Sequence, residues 1–265
     1  MPPSLASSVR CIQSVRQRRF IYEFYVSDYN RILAACGTPS PPKYDRPLHS
    51  DGRKGKRMTD NTRLQTVMDK FEIIETSNVL LSCRDAGDWS RLVNCFHPDA
   101  RVTTSWFDGT AEEFAKASQN MMAGHHKKDT QRHTISNPRV TINGHRAVNE
   151  YYVILYQGRV MDGYEFDLTT WSVTLDLYEQ RNGQWRICKR SNIYEKDRLE
   201  PHVPGAVPNS YYENLDLSGY PAEIRFHCYR NERSSGHKPK NLILKGSPEE
   251  TAARQAAKDW LAARK

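Results

Sequence analysis

Nowhere in its 265 residues does the chain hold the roughly 20 consecutive apolar residues that a membrane-spanning helix needs. Its longest apolar patches, such as residues 151–156, have strand length, so a membrane span is excluded and the chain reads as soluble and globular. The six cysteines, Cys11, Cys36, Cys83, Cys95, Cys188 and Cys228, include no C-x-x-C pair and no tight cluster. Zinc-site and redox-dithiol signatures are therefore missing. Cys83 and Cys95, set among apolar residues, read as reduced, buried thiols of a cytoplasmic protein. No acidic residue precedes Glu23, a composition shared with organelle-targeting leaders, which leaves organelle targeting as the alternative location. A basic core is lacking too: residues 1–57 hold 11 Lys and Arg against 4 Asp and Glu, seven of the eight net positive charges. The remainder is nearly neutral, which argues against nucleic-acid binding by the folded part. No internal repeat is present.

Residues 1–60 combine a Pro-rich piece (Thr38-Pro39-Ser40-Pro41-Pro42), the basic run 53–57 and a second methionine, Met58. Such a stretch has little apolar surface to offset the entropy of ordering, so it reads as a flexible extension, with Met58 as an alternative start. From 61 to 85, Leu64, Val67, Met68, Phe71, Ile74, Val79 and Leu80 or Leu81 recur near the 3.6-residue period of an amphipathic helix. Ala86-Gly87-Asp88 breaks it, with Gly ending one helix and Asp88 capping a short second one that carries Trp89, Leu92, Val93 and Phe96. A further helix carries Phe114. Strands are then predicted over 133–142, 147–161, 164–180 and 184–194, separated by Asn143-Gly144, Asp162-Gly163 and Asn182-Gly183, the dipeptides that tight hairpin turns favour. Helices followed by an antiparallel meander predict an α+β fold. The core domain is read as 61–200. The remainder, 201–265, is a C-terminal extension that wraps the domain or a partner subunit and ends in a helix over 248–264, signalled by Ser247-Pro248-Glu249-Glu250.

His133 is the residue of most chemical interest, because imidazole can both take and return a proton near neutrality. Asp85, at the end of the first long helix, is its candidate orienting carboxylate. Asp88 is the rival, but an N-cap carboxylate is already used by backbone N–H groups. In the last strand the two-residue period places Cys188, Arg190 and Asn192 on one face and Trp185, Ile187 and Lys189 on the other; with the polar face inward, Arg190 would be a buried cation for an oxyanion or substrate carboxylate. Trp106 and Tyr156 are candidates for lining the pocket, and the Tyr156 phenol for assisting the leaving group. His97, before Pro98, reads as a turn residue. His125-His126 reads as an exposed basic helix end, since adjacent histidines point apart and seldom share a metal; no metal or cofactor is expected.

The pieces RDAGDWSRLVNCFHPDARV, HTISNPRV, NGHRA and GQWRICKR, in this order and spacing, resemble the SnoaL-like branch of the nuclear transport factor 2-like superfamily over roughly residues 62–200. The resemblance implies a cone-shaped α+β barrel: a curved, mainly antiparallel sheet that encloses an apolar pocket with its N-terminal helices. Scytalone dehydratase, bile acid 7α-dehydratase and hexachlorocyclohexane dehydrochlorinase are members whose His/Asp dyads match His133 and Asp85, and in the last two a pocket arginine matches Arg190. Where two of them carry a polar group, this chain has Leu80. The implied activity is that of a cofactor-independent lyase, a dehydratase of a hydroxylated cyclic or polycyclic molecule, polyketide or steroid-like. The alternatives are an isomerase or cyclase using the same base, and a noncatalytic ligand-binding or dimerisation module. The implied partners are a hydrophobic small-molecule substrate and one or two further copies of the chain.

Overall fold

The computed structural model of the protein describes residues 60–236 and 238–263; the expectations for the extension, residues 1–59 with Met58 among them, lie outside that range. Helix α1 (Asp60–Ala86) buries Ile73, Ser77, Leu80, Leu81 and Arg84 along one stripe. Its predicted apolar stripe is only partly a core face, because Leu64, Val67, Met68 and Phe71 are exposed. Gly87, at φ +75°, ends the helix where a side chain would be strained. Asp88 then caps α2 (Trp89–Asn94) by accepting the Arg91 N–H at 3.2 Å. Strands β1 (Phe96–Thr103) and β2 (Asp108–Thr110) lead into α3 (Ala111–Ala123), which begins with a Thr110/Glu113 capping box. His97 lies inside β1 and not in a turn; its Nε2 meets the Glu179 carbonyl at 2.8 Å.

Four long strands follow: β3 (Thr130–Asn143), β4 (Arg146–Met161), β5 (Tyr164–Arg181) and β6 (Gln184–Pro201). The sheet order is β2-β1-β6-β5-β4-β3; along it the pairings are antiparallel apart from the parallel pairing of β1 with β6, and a short seventh strand adds a second parallel pairing to β6. This is the expected α+β fold, a curved and mostly antiparallel sheet with helices against it. The sheet is curved but unclosed, with β2 and β3 at the two ends of this order. Pro138, which cannot donate to a ladder, sits on edge strand β3 where its register with β4 shifts. Strand β6 runs past the predicted end at Tyr194 because Leu199 buries against Phe166 and Leu168 while its polar neighbours face out.

A bulge overturns the predicted parity of β6. Tyr178 pairs with Ile187 and Leu177 with Lys189, so Cys188 is the extra residue. The inserted residue brings Trp185 and Ile187 to the same face as Arg190 and Asn192. The first two join the core with Ile73, Leu80, Phe96 and Tyr178, and the last two border a cavity.

The C-terminal segment grips the sheet from both sides. After α4 (Asn209–Glu213) and a 3-10 turn (Ala222–Ile224), helix α5 (Arg225–Ser235) lies on the concave side and buries His227, Cys228, Arg230 and Asn231. Strand β7 (Ile243–Leu244) then pairs with β6 in parallel, and α6 (Pro248–Ala262) crosses to the convex face. There Ala257, Trp260 and Leu261 cover Val148 and Leu177, while Ala253 meets Val173, Leu175 and Ile193. No helix among the described residues is long and apolar enough to cross a membrane.

Candidate active site

The last turn of α1 and the start of β3 meet at Asp85 and His133. The Asp85 carboxylate accepts two hydrogen bonds from the same residue: the His133 backbone N–H at 2.7 Å and its ring Nδ1 at 2.6 Å. Anchoring main chain and ring together fixes the imidazole's rotamer and its tautomer, with the proton on Nδ1 and the lone pair on Nε2. Both side chains are mostly shielded from solvent. Burial lowers the His133 pKa below its ordinary 6.5, outweighing the pull of Asp85 in the other direction. At neutral pH the ring is therefore neutral and able to accept a proton.

His133 borders a cavity of about 90 Å³ under the concave face of the sheet. Leu80, Trp106, Val153 and Leu155 supply its apolar wall. Much of the rest is polar, including Gln131, Gln157, Thr170, Ser172 and Asn192. This departs from the apolar pocket anticipated above, because inward positions on β5 carry hydroxyls where outward ones carry Val173, Leu175 and Leu177. The cavity is below the roughly 300 Å³ of common ligand sites. A polycyclic skeleton would have to project into the neighbouring hollow of about 310 Å³, which shares Met121 and Arg230 with it.

Arg190 borders this cavity, but not as a free cation. Its Nε and Nη2 donate to Asp176 at 2.9 and 2.8 Å, Nη2 also contacts the Tyr151 hydroxyl, and Tyr151 donates to Asp176 at 2.6 Å. Arg190 thus lines the cavity with its charge already balanced by Asp176, and the pair also ties β6 to β5. Tyr156 is corrected: it alternates with the inward Leu155 and Gln157 and points to the convex face, 47% exposed. Trp106 does line the cavity, packed against Phe107 and Phe114. His125 is half-buried in the adjoining hollow, where burial and then Arg159 push its pKa down to about 4, in contrast to the exposed helix end that was predicted.

Among the lining residues that the reading of the sequence did not single out are Arg84, His227 and Arg230. Arg84 sits on the buried stripe of α1, and its i+4 spacing from Leu80 was the available signal. His227 and Arg230 come from α5. His227 is held on both sides: Nε2 lies 2.8 Å from Ser105 Oγ and 2.9 Å from Asn231 Nδ2, and Nδ1 lies 3.2 Å from Thr170 Oγ1. Burial drives its pKa well below 6.5, so it is a neutral structural residue. Among the described residues, no group of three or more His, Cys, Asp or Glu side chains is placed to hold a metal ion.

An open, curved α+β sheet with a buried His/Asp pair at its concave face is joined by a match in sequence: residues 65–191 match the SnoaL-like domain family. Curated relatives are fungal. The chain is 29% identical over 197 residues to a PEP2-like protein of Fusarium vanettenii, covering 72% of this chain and 82% of the relative. It is 27% identical, with the same coverage, to pea pathogenicity protein 2 of that fungus. Similar solved structures include a hexachlorocyclohexane dehydrochlorinase at 17% identity and TM-score 0.46, covering 57% of this chain and 99% of that one. An NTF2-like protein of Novosphingobium aromaticivorans with a cystatin-like fold matches at 17% identity and TM-score 0.42, covering 59% and 95%.

Proposed function

We propose that the protein is a lyase that eliminates water from a small hydroxylated molecule, with His133 as the proton carrier and Asp85 as its orienting partner. The observation that supports this most is the double hydrogen bond from His133 to one carboxylate at the wall of a small, polar-lined cavity. Neutral Nε2 takes the proton from a carbon next to a carbonyl group. The released electron pair forms the carbon–carbon double bond and expels hydroxide from the adjacent carbon, and the imidazolium returns its proton to that hydroxide. One water leaves, and His133 is neutral again. Asp85 stabilises the transient imidazolium and keeps Nδ1 protonated, so that Nε2 always presents its lone pair. Positioned acid–base groups of this kind contribute about 10² to 10⁴ in rate.

The test is incubation of the full chain with a panel of one-ring and short-chain hydroxy compounds, read by mass spectrometry for loss of one water. His133→Ala is expected to lower turnover at least about 10²-fold with the fold retained by circular dichroism. Wild-type turnover in that variant refutes the reading. Incorporation of solvent deuterium without loss of water points instead to an isomerase.

A further inference from the structure

Two guanidinium groups at the cavity have no counter-ion. Arg84 and Arg230 are 7% and 5% exposed, and neither forms an ion pair among the described residues. Arg84 Nη2 lies 3.9 Å from Met121 Sδ, and its guanidinium sits 5.9 Å from the ring centres of Trp89 and Trp106. Arg84 Nη1 and Arg230 Nε are buried without an acceptor. The other buried guanidiniums nearby are spoken for. Arg190 is paired with Asp176, and Arg159 donates to the Thr130 and Gly158 carbonyls at 2.6 and 2.9 Å and to Gln131 Oε1 at 3.3 Å.

Taking a guanidinium out of water is unfavourable unless an anion meets it. Burial lowers the Arg84 pKa to about 10, with Asp85 pulling back and Arg159 pushing the same way. Burial, then Arg159 and Arg84, lower that of Arg230 to about 9. Both remain cationic at neutral pH, and this unfavourable state persists in a fold that buries apolar side chains well elsewhere. Two further cavity-lining atoms lack partners: Gln131 Nε2, a donor, and Gln157 Oε1, an acceptor, on residues directly paired across β3 and β4. Arg230 also lines the hollow outside, with Arg159 and Arg233. Asp162 in that hollow is bound to Arg233 and Asp129 to backbone N–H groups, so the approach to Arg230 is basic.

We infer that Arg84 and Arg230 hold a carboxylate, and that the ligand of this cavity is a small hydroxylated carboxylic acid whose hydroxyl meets Gln131 and Gln157. The inference names the substrate class of the proposed lyase and rests on that reading for its chemistry, though not for its binding. A guanidinium matches the two oxygens of a carboxylate in its fork. A cavity of about 90 Å³ holds a short-chain acid.

Binding of crotonate and of its neutral isostere crotonamide to the full chain tests this by calorimetry and thermal shift. Crotonate is expected to bind at least about tenfold more tightly than crotonamide, the smallest effect of a hydrogen-bonded charge pair. Arg230→Met and Arg84→Met are each expected to remove that preference while leaving the ligand-free melting point unchanged or higher, since an unpaired buried cation is removed. Equal binding of the two compounds to the wild-type chain overturns the inference, and that result needs no variant to fold. Tighter binding of inorganic phosphate than of crotonate overturns it as well, as does a retained crotonate preference in folded Arg230→Met. His133→Gln is expected to bind crotonate like the wild type, which separates the two readings. Crotonate selectivity without water loss from any panel compound removes the lyase, whereas water loss without selectivity removes the carboxylate site.

Discussion

Replacing Asp85 by Asn exchanges one oxygen for an NH₂ group and leaves the size of the side chain unchanged. The carboxylate serves two donors, the His133 backbone N–H and ring Nδ1, at 2.7 and 2.6 Å. An amide has a single acceptor oxygen and can serve only one of them. If it keeps the ring, the bond loses its charge assistance, about 1–2 kcal/mol, and the imidazolium becomes roughly tenfold less accessible. If it keeps the backbone, its NH₂ faces Nδ1, the ring proton moves to Nε2, and the base is lost. Together these place the expected loss of turnover at about 10² to 10⁴. The assay that needs no substrate is long-range ¹⁵N–¹H NMR of the His133 ring. In the wild type it is expected to report a proton on Nδ1 and a titration below 6.5, the direction set by burial. Because Asp85 opposes that shift, the Asn variant is expected to titrate lower still, and the acid limb of its rate profile to move to lower pH. A wild-type ring protonated on Nε2, a titration at or above 6.5, or wild-type turnover in Asp85→Asn would refute the reasoning.

Asp176→Asn is expected to cost about 3–5 kcal/mol in urea denaturation, since it leaves the Arg190 guanidinium buried and unpaired; a loss below about 1 kcal/mol would show that the pair is not what holds β5 to β6. His133 and His227 both titrate below 6.5 when folded, so under that pH the unfolded chain binds more protons. Their contribution is complete above 6.5 and is lost as pH falls toward the folded values, by up to about 1.4 kcal/mol per pH unit for each. Thermal denaturation between pH 7 and 5 checks this, and a melting point that does not fall contradicts it.

The four long strands were legible because their turns leave a local mark: Asp162-Gly163 and Asn182-Gly183 all have positive φ, which those residues tolerate. The meeting of Asp85 with His133 was approached through motif spacing, although nothing local to either residue encodes it. The counter-ion of Arg190 was not legible, because its partner Asp176 lies across a ladder whose register is shifted by the bulge at Cys188. One inserted residue reverses every later side chain, and no composition signal announces it. Helix α5 was missed for a related reason. Its buried face is His227, Arg230 and Asn231 beside Cys228, so a search for apolar periodicity passes over it. Tyr156 failed on parity alone, since alternate positions of an aromatic-rich strand look equivalent until the sheet has an inside.

The grip of the C-terminal segment on both sides of the sheet separates two kinds of information along the chain. Asp85 and His133 lie within the stretch matched by the SnoaL-like domain, 65–191, while Arg230 and His227 arrive from beyond it. Two proteins sharing that stretch can therefore keep the same proton-handling pair while presenting different walls to a ligand. Likeness over 65–191 is for this reason silent about what the cavity accepts. Exchanging residues 202–263 between relatives becomes the natural way to transplant selectivity without disturbing the base.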